Sequence, residues 1–239
     1  ALIEFGSGNS RKTRILLNAL CPPVYMPIDI AGGQLKASSE ELARVFPDLE
    51  VLAVCADYTR FLRPPPWRSA QTRRKVIYFP GSTIGNFTQQ ETLAFLRGAA
   101  SMVGKGGAIL VGVDLKKDAA LLNAAYNDAQ GVTAEFNLNL LRRINRELGA
   151  DFDLARFRHH AFYNPAEGRI EMHLLSLGAQ RVTVAERSFE FREGETIHTE
   201  NSCKYSVAEF RQLAERAGFG MAKTWTDPDQ LFSVHYLEA

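Results

Sequence analysis

The sequence predicts an α/β fold in which a mostly parallel sheet carries an inserted α+β domain. Through residues 1–116, apolar runs alternate with segments of helical periodicity, a pattern typical of β-α units joined by right-handed crossovers. From residue 117 consecutive helices and then short strands are expected, and a final helix and two strands follow near the C-terminus. These observations predict a Rossmann-like sheet formed by residues 1–116 and 205–239, interrupted by an inserted domain over residues 117–204.

The first strand, at residues 2–5, breaks into the turn Gly6-Ser7-Gly8, and the amphipathic segment Ile15-Leu16-Leu17 follows. A strand, a tight turn and a helix in this order direct backbone N–H groups and a helix N-terminus toward a ligand. A dinucleotide site needs a third glycine for close helix packing, and Arg11 stands there instead. The turn therefore favours a ligand without a pyrophosphate, such as S-adenosylmethionine, with Glu4 as an acidic partner for a cationic ligand.

The next two predicted strands each end in an acidic residue. The strand Val24–Asp29 ends roughly 20 residues after the turn, the spacing at which a carboxylate binds a ribose diol. The strand over residues 49–58 ends in Asp57 and Tyr58, which offer an acceptor for an adenine amino group and a ring beside the base. Acidic residues also end strands by chance, but these two follow a glycine turn, which favours an adenosine site over an ordinary turn.

The remaining elements of the sheet follow in order. Apolar runs predict strands at residues 74–80 and 106–114, and helical periodicity covers residues 35–46 and 89–103, the second helix with Thr88 as its N-cap. Ligands of parallel sheets bind at the carboxyl ends of the strands. The glycine turn, Asp29 and the Asp57-Tyr58 pair are therefore expected at one edge of the sheet.

In the inserted domain the sequence predicts helices first and antiparallel strands after them. The predicted helices cover residues 117–129, 134–148 and 154–159, and the predicted strands cover residues 169–177, 181–185 and 188–192. After the insertion, a helix at residues 207–217 and strands at residues 221–226 and 231–237 complete a sheet of seven strands.

Composition narrows the functional class. The net charge is +1, so no sequence-wide field attracts nucleic acid or an anionic membrane. The three cysteines lie far apart, which fits a reducing compartment and gives no metal framework. No run approaches the length of a transmembrane helix, and no signal peptide is visible. We therefore expect a cytoplasmic monomer with no metal and with no nucleic-acid or membrane partner.

Seven motifs, spread in order over essentially the whole chain, carry a specific resemblance. They are Glu4–Gly8, Pro80–Phe87, Val111–Leu115, Ala125–Asp128, Gly131–Asn137, Asn145–Leu148 and Thr199–Tyr205. Any one of them is weak, but together they resemble the histidine-specific N-alpha-methyltransferases of ergothioneine biosynthesis. The resemblance implies a class I S-adenosylmethionine-dependent methyltransferase sheet of seven mostly parallel strands, with the inserted domain binding the substrate.

The cofactor site of that family maps onto residues already selected from the pattern, and it adds Lys12. At the start of the first helix, Lys12 can pair with the carboxylate of the cofactor's methionine moiety, although a helix-surface lysine is the alternative. The cofactor implied is S-adenosylmethionine, with S-adenosylhomocysteine as its product and no metal. The predicted cofactor-binding residues are Gly6, Ser7, Gly8, Lys12, Asp29, Asp57, Tyr58, Gly81 and Ser82.

The resemblance also implies a site for L-histidine. Asn86 is similar to the family residue that holds the amino acid's backbone groups, and Tyr126 to a tyrosine that contacts its carboxylate. Glu200 and Ser202 indicate histidine, because alternate residues of a strand share a face and can bind both polar atoms of one small ring. Structural roles in a turn, a core or a strand face are the alternatives. The predicted substrate-binding residues are Asn86, Tyr126, Met172, Glu200, Asn201 and Ser202.

The implied reaction transfers methyl groups to the α-amino nitrogen of L-histidine, repeatedly, to give N-alpha-trimethylhistidine (hercynine). Positioning of the neutral amine against the methyl carbon supplies most of the acceleration, and no residue is assigned as acid or base. Family members carry an N-terminal segment that adds tyrosine contacts, and this chain begins on the first strand, so a truncated chain is expected to lose histidine affinity. The alternatives are methylation of another amino acid or small amine, and an inactive S-adenosylmethionine-binding fragment.

Overall fold

A computed structural model describes residues 1–8, 12–60, 64–69 and 72–239. The chain divides into two compact units. The first unit comprises Ala1–Ile84, Thr88–Leu115 and Tyr205–Ala239, and the second comprises Gly85–Phe87 and Lys116–Lys204. The second unit is therefore formed by two segments of the chain, a short one at residues 85–87 and a long one at residues 116–204.

The strands and helices are numbered along the chain. The strands are β1 (Leu2–Phe5), β2 (Val24–Asp29), β3 (Glu50–Val51), β4 (Val54–Cys55), β5 (Val76–Phe79), β6 (Ala108–Asp114), β7 (Phe157–Asn164), β8 (Arg169–Ser176), β9 (Gln180–Val184), β10 (Arg187–Phe191), β11 (Thr196–Cys203), β12 (Gly220–Thr226) and β13 (Phe232–Glu238). The α-helices are α1 (Thr13–Leu20), α2 (Gly32–Val45), α3 (Gln89–Val103), α4 (Ala119–Tyr126), α5 (Val132–Leu148) and α6 (Val207–Arg216). Two short 3₁₀ turns cover Thr83–Asn86 and Leu154–Arg156.

The first unit is built on one mostly parallel sheet in the order β12-β13-β6-β5-β1-β2-β3, with β4 also paired to β2. Strands β1 to β6 pair in parallel, whereas β13 and β12 run antiparallel to their neighbours. The predicted α/β class is confirmed. Among the described residues the sheet has eight strands where seven were predicted, because the predicted third strand pairs with β2 as two short strands, β3 and β4, in the same register.

The central strand β1 is buried along its whole length, as expected for a parallel strand covered on both faces. Its Glu4 side chain is 2% exposed and accepts hydrogen bonds from the Thr13 hydroxyl (2.6 Å) and the Tyr25 hydroxyl. Loss of hydration raises the pKa of Glu4 to about 7. The carboxylate therefore holds the start of α1 and strand β2 against β1. Glu4 was expected to face a cationic ligand, but its side chain lies in the core.

Helix α3 begins and ends at the predicted residues, and its N-cap is the predicted threonine. The Thr88 hydroxyl accepts from the Glu91 backbone N–H (3.3 Å), and the Glu91 carboxylate accepts from the Thr88 N–H (2.7 Å). This reciprocal capping box satisfies two backbone donors at the helix N-terminus.

The second unit contains a three-stranded antiparallel sheet in the order β11-β8-β7 and the hairpin β9-β10. The predicted helix at residues 154–159 is wrong: a short 3₁₀ turn is followed at once by β7, which pairs with β8 along its whole length. Strand formation there depends on pairing with a distant segment, which overrides a weak local helical pattern. Leu122 of α4 packs on this sheet against Ala161, Ile170 and Met172.

Within the part of the chain that the structure describes, no helix combines the length and apolar character that crossing a bilayer requires.

Candidate active site

The glycine turn after β1 has the conformation that its residues allow. Gly6 (φ +69°) and Gly8 (φ +49°) occupy the left-handed region, which favours glycine. The Gly6 N–H donates to the Ile28 carbonyl oxygen at the end of β2 (2.9 Å). Between the two glycines, the buried Ser7 hydroxyl has no hydrogen-bond partner in the described residues. Arg11, on which the argument against a dinucleotide rests, lies outside the described residues.

Asp29 lies at the carboxyl end of β2, beside this turn. Its Oδ2 accepts from the Gly8 N–H (3.2 Å), and its Oδ1 accepts from the Ala31 N–H (2.9 Å). An ionised carboxylate has about four acceptor sites, so two backbone bonds leave capacity for a ligand's hydroxyl groups. The structure therefore brings the predicted turn and the predicted diol-binding carboxylate together.

Tyr58 borders the same turn, whereas the carboxylate of Asp57 is bonded within its own loop. The Tyr58 ring stacks on Phe5 at 5.4 Å, and a Cβ placed on Gly6 would lie 3.8 Å from the ring. Burial, with the charges of Asp29 and Asp57, raises the pKa of Tyr58. Asp57 accepts from the Thr59 hydroxyl and N–H, which lowers its pKa.

The residues after β5 are fixed to the end of β6. Gly81 has φ +70°, and a Cβ on Gly112 would overlap its carbonyl oxygen, so the two backbones approach closely only because residue 112 is glycine. The Ser82 hydroxyl accepts from the Asp114 N–H (3.0 Å). Lys12 is exposed immediately before α1.

These residues fit an adenosine-containing cofactor. The Ser7 hydroxyl, which has no partner among the described residues, provides a polar group next to the left-handed turn at Gly6 and Gly8, Asp29 provides a carboxylate, and Tyr58 provides an aromatic ring. All of them belong to the first compact unit.

The predicted substrate residues belong to the second unit, where a β-bulge sets the orientation of β11. His198 pairs with His173 and Glu200 pairs with Met172, so Thr199 is an extra residue between them. After the bulge, Glu200 and Ser202 stand opposite Met172 and Ile170 and share their face of the sheet.

Glu200 and Asn86 line one open pocket of about 400 Å³, together with His198, Thr199 and Asn201. Burial raises the pKa of Glu200, and the nearby Lys204 ammonium partly offsets that rise. The Asn201 side-chain oxygen is buried without a partner in the described residues. Three of the six predicted substrate residues therefore meet in this pocket.

The half-buried Tyr126 and the buried Ser202 and Lys204 form a polar cluster next to Glu200. Lys204 is 2% exposed and Ser202 is 4% exposed. The Lys204 ammonium donates to the Ser202 hydroxyl (2.8 Å) and the Tyr126 hydroxyl (3.0 Å), and Tyr126 donates to Ser202 (2.8 Å). Sequence reasoning missed Lys204, although it directly follows β11 and continues the alternation of positions 200 and 202. Met172 is 3% exposed and packs in the core with Leu122.

A second cluster lies on the opposite face of the same sheet. Candidate ligand atoms of Glu171, His173 and His198 all lie within 4.8 Å of one another. The His173 and His198 rings stack at 4.4 Å and 17°, and Glu171 also pairs with Arg169 (2.9 Å). An imidazole nitrogen binds a metal in the plane of its ring, and planes stacked in parallel do not converge on one ion. His173 and His198 therefore interact by stacking of their rings.

Comparison with protein families matches residues 1–239 to histidine-specific, SAM-dependent methyltransferases. The chain is 41% identical over 233 residues to the histidine N-alpha-methyltransferase of Mycolicibacterium smegmatis, a match that covers 95% of this chain and 71% of that protein. It is 28% identical over 244 residues to ergothioneine biosynthesis protein 1 of Schizosaccharomyces pombe, covering 99% of this chain and 32% of that protein. The structure of the CcbJ methyltransferase from Streptomyces caelestis is similar with a TM-score of 0.53 at 15% identity, covering 100% of this chain and 83% of that one.

Proposed function

The chain belongs to the histidine-specific, S-adenosylmethionine-dependent methyltransferases, and from that premise we propose that it methylates the α-amino nitrogen of L-histidine repeatedly, to N-alpha-trimethylhistidine (hercynine). The family membership and the class I methyltransferase fold make it an enzyme of this class. S-adenosylmethionine supplies the methyl group and leaves as S-adenosylhomocysteine. The free cysteines, of which Cys21 and Cys55 are exposed, support a reducing, cytoplasmic setting.

One observation carries the choice of histidine: Glu200 and Ser202 share a face of β11, and Glu200 lines the pocket that Asn86 also lines. A neutral imidazole ring has one donor and one acceptor. A carboxylate accepts and a hydroxyl donates, so the pair matches the ring atom for atom. A site built to bond both nitrogens rejects ligands that lack them by roughly 10⁴-fold.

On the cofactor side, the proposal assigns the ribose diol to Asp29 and the neighbourhood of the adenine ring to Tyr58. The residues Gly6, Ser7 and Gly8 would present backbone and hydroxyl groups to the amino-acid moiety, and Lys12 would pair with its carboxylate. The Asp57 carboxylate would accept a hydrogen bond from the adenine amino group in addition to the bonds that it accepts within its own loop. Gly81 and Ser82 would border the cofactor at the same edge of the sheet.

On the substrate side, Asn86 would hold the amine and carboxylate of histidine, since an amide offers a donor and an acceptor together. Tyr126, Met172 and Asn201 would complete the pocket. The neutral amine is the nucleophile: its nitrogen bonds to the methyl carbon as the carbon–sulfur bond breaks, and the amine proton leaves to solvent before the next round. In peptide models an α-amino group has a pKa of roughly 8, and the free carboxylate of histidine raises that pKa further, so the reactive neutral amine is a minor fraction near pH 7.

A competition assay tests the substrate assignment. The chain is incubated with labelled S-adenosylmethionine and equal amounts of histidine and tryptophan, and products are separated and counted. We expect histidine to be strongly preferred, and Glu200→Ala to abolish the preference while Glu193→Ala, an exposed turn residue, leaves it unchanged. A preference that survives in Glu200→Ala would sink the assignment of this residue, and methylation of neither amino acid would sink the function.

A further inference from the structure

We propose that Lys204 is a positioning residue that fixes the Ser202 hydroxyl as a hydrogen-bond donor, so that the site selects a neutral imidazole ring held in one tautomer. The inference rests on the proposed histidine site and explains how that site reads the ring. Lys204 does not need to touch the substrate, because it acts through Ser202.

Two donors lie within hydrogen-bond distance of the Ser202 oxygen. Its oxygen receives the Lys204 ammonium at 2.8 Å and the Tyr126 hydroxyl at 2.8 Å, and the Lys204 ammonium also lies over the Tyr126 ring at 4.9 Å from its centroid. Lys204 and Ser202 are almost wholly buried, so the interactions are little screened by water.

The donors around Ser202 decide whether its hydroxyl donates to a ligand or accepts from one. A serine oxygen has two acceptor lone pairs and one proton. The ammonium orients the hydroxyl dipole with its oxygen toward Lys204, and Tyr126, the more acidic hydroxyl, donates to the other lone pair. Both lone pairs are therefore occupied, and the Ser202 proton is the capacity that remains for a ligand.

The consequence is a matched pair of opposite polarity two residues apart on β11. Ser202 offers a donor, and the Glu200 carboxylate offers an acceptor. A neutral imidazole satisfies both, with its pyridine-like nitrogen toward Ser202 and its N–H toward Glu200. An imidazolium ring would direct an N–H at the Ser202 proton, and its charge would also face the Lys204 ammonium.

Ligand analogues distinguish this role from a structural one. The two pyrrolylalanine isomers carry a donor and no acceptor in the ring, and the two thiazolylalanine isomers carry an acceptor and no N–H. Dissociation constants would be measured by calorimetry with S-adenosylhomocysteine present. For wild type we expect each pyrrolylalanine to bind about 100-fold more weakly than histidine, because the Ser202 proton is left unpaired.

The variants Lys204→Met and Lys204→Arg separate charge from packing. In Lys204→Met the hydroxyl can rotate, so the discrimination against pyrrolylalanine should fall about 10-fold or more, while that against thiazolylalanine, which depends on Glu200, stays the same. Lys204→Arg retains the donors and should restore the wild-type ratio. Equal weakening of all ligands in Lys204→Met, with unchanged ratios, would overturn the inference.

Nitrogen NMR of ring-labelled histidine tests the same inference on wild-type protein, independently of how the variants fold. In the complex with S-adenosylhomocysteine we expect one pyridine-like and one pyrrole-like ring resonance, as for a single neutral tautomer. Two pyrrole-like resonances would mean a bound imidazolium and would refute the role of Lys204 while leaving the histidine site intact. Failure of wild type to bind histidine would instead refute the proposed function and this inference with it.

Discussion

The buried Glu4 carboxyl should make the stability of the protein fall as the pH rises, and the substitution Glu4→Gln should remove that effect. Glu4 lies on the central strand, 2% exposed, with the Thr13 and Tyr25 hydroxyls as its donors. A glutamine oxygen can accept the same two hydrogen bonds, so the substitution removes the charge and keeps the contacts.

The magnitude follows from the pKa of about 7 in the folded protein against 4.5 for an ordinary exposed glutamate. The raised pKa means that the folded state binds more protons than the unfolded state between these values. Stability from this group is therefore fully present below about pH 4.5 and is lost as the pH rises through about 7, a change of about 3 kcal/mol at 1.36 kcal/mol per pKa unit.

Urea unfolding of wild type and Glu4→Gln at about pH 5 and pH 7.5 would measure the difference. The free energy of unfolding of wild type should fall by about 2 kcal/mol relative to Glu4→Gln between the two pH values, because part of the full change lies below pH 5 and above pH 7.5. Buried His235, whose pKa burial lowers to about 4, loses its stabilisation as the pH falls, and it is present in both proteins, so its contribution cancels. Glu193→Gln serves as the exposed control. Parallel pH profiles for wild type and Glu4→Gln would refute the argument.

Three further predictions concern the helix cap, the loop after β5 and the cofactor site. Thr88→Ala removes the capping box of α3 and should lower the free energy of unfolding by about 1 kcal/mol in urea titrations. Gly112→Ala puts a Cβ against the Gly81 carbonyl oxygen and should cost about 1–3 kcal/mol, measured in the same way; no loss would show that the loop gives way freely. Asp29→Ala should weaken S-adenosylhomocysteine binding at least about 10-fold by calorimetry, and unchanged affinity would remove Asp29 from the site.

The sequence predicts best where the signals are local. The strand Val24–Asp29 and helix Gln89–Val103 lie at the predicted residues, the first because it is a continuous buried run and the second because Thr88 and Glu91 cap it. The turn at Gly6 and Gly8 and the carboxylate of Asp29 come together as parallel strand ends require.

What the sequence does not predict depends on distant partners. Strand β7 forms because it pairs with β8. The bounds of the short strands β3 and β4 depend on which of their residues pair with β2. Lys204 was missed because its role depends on Tyr126, 78 residues away, and a lone lysine after a strand usually lies in solvent. The bulge at Thr199, which decides the face that Glu200 presents, has no local signal of its own.

Mass spectrometry of the product formed from L-histidine and S-adenosylmethionine tests the central claim most directly. We expect species with one, two and three added methyl groups, with fragmentation placing all of them on the α-amino nitrogen and with the trimethylated form accumulating at long times. Methyl groups on the imidazole ring, or no methylated histidine while another amino acid is converted, would contradict it.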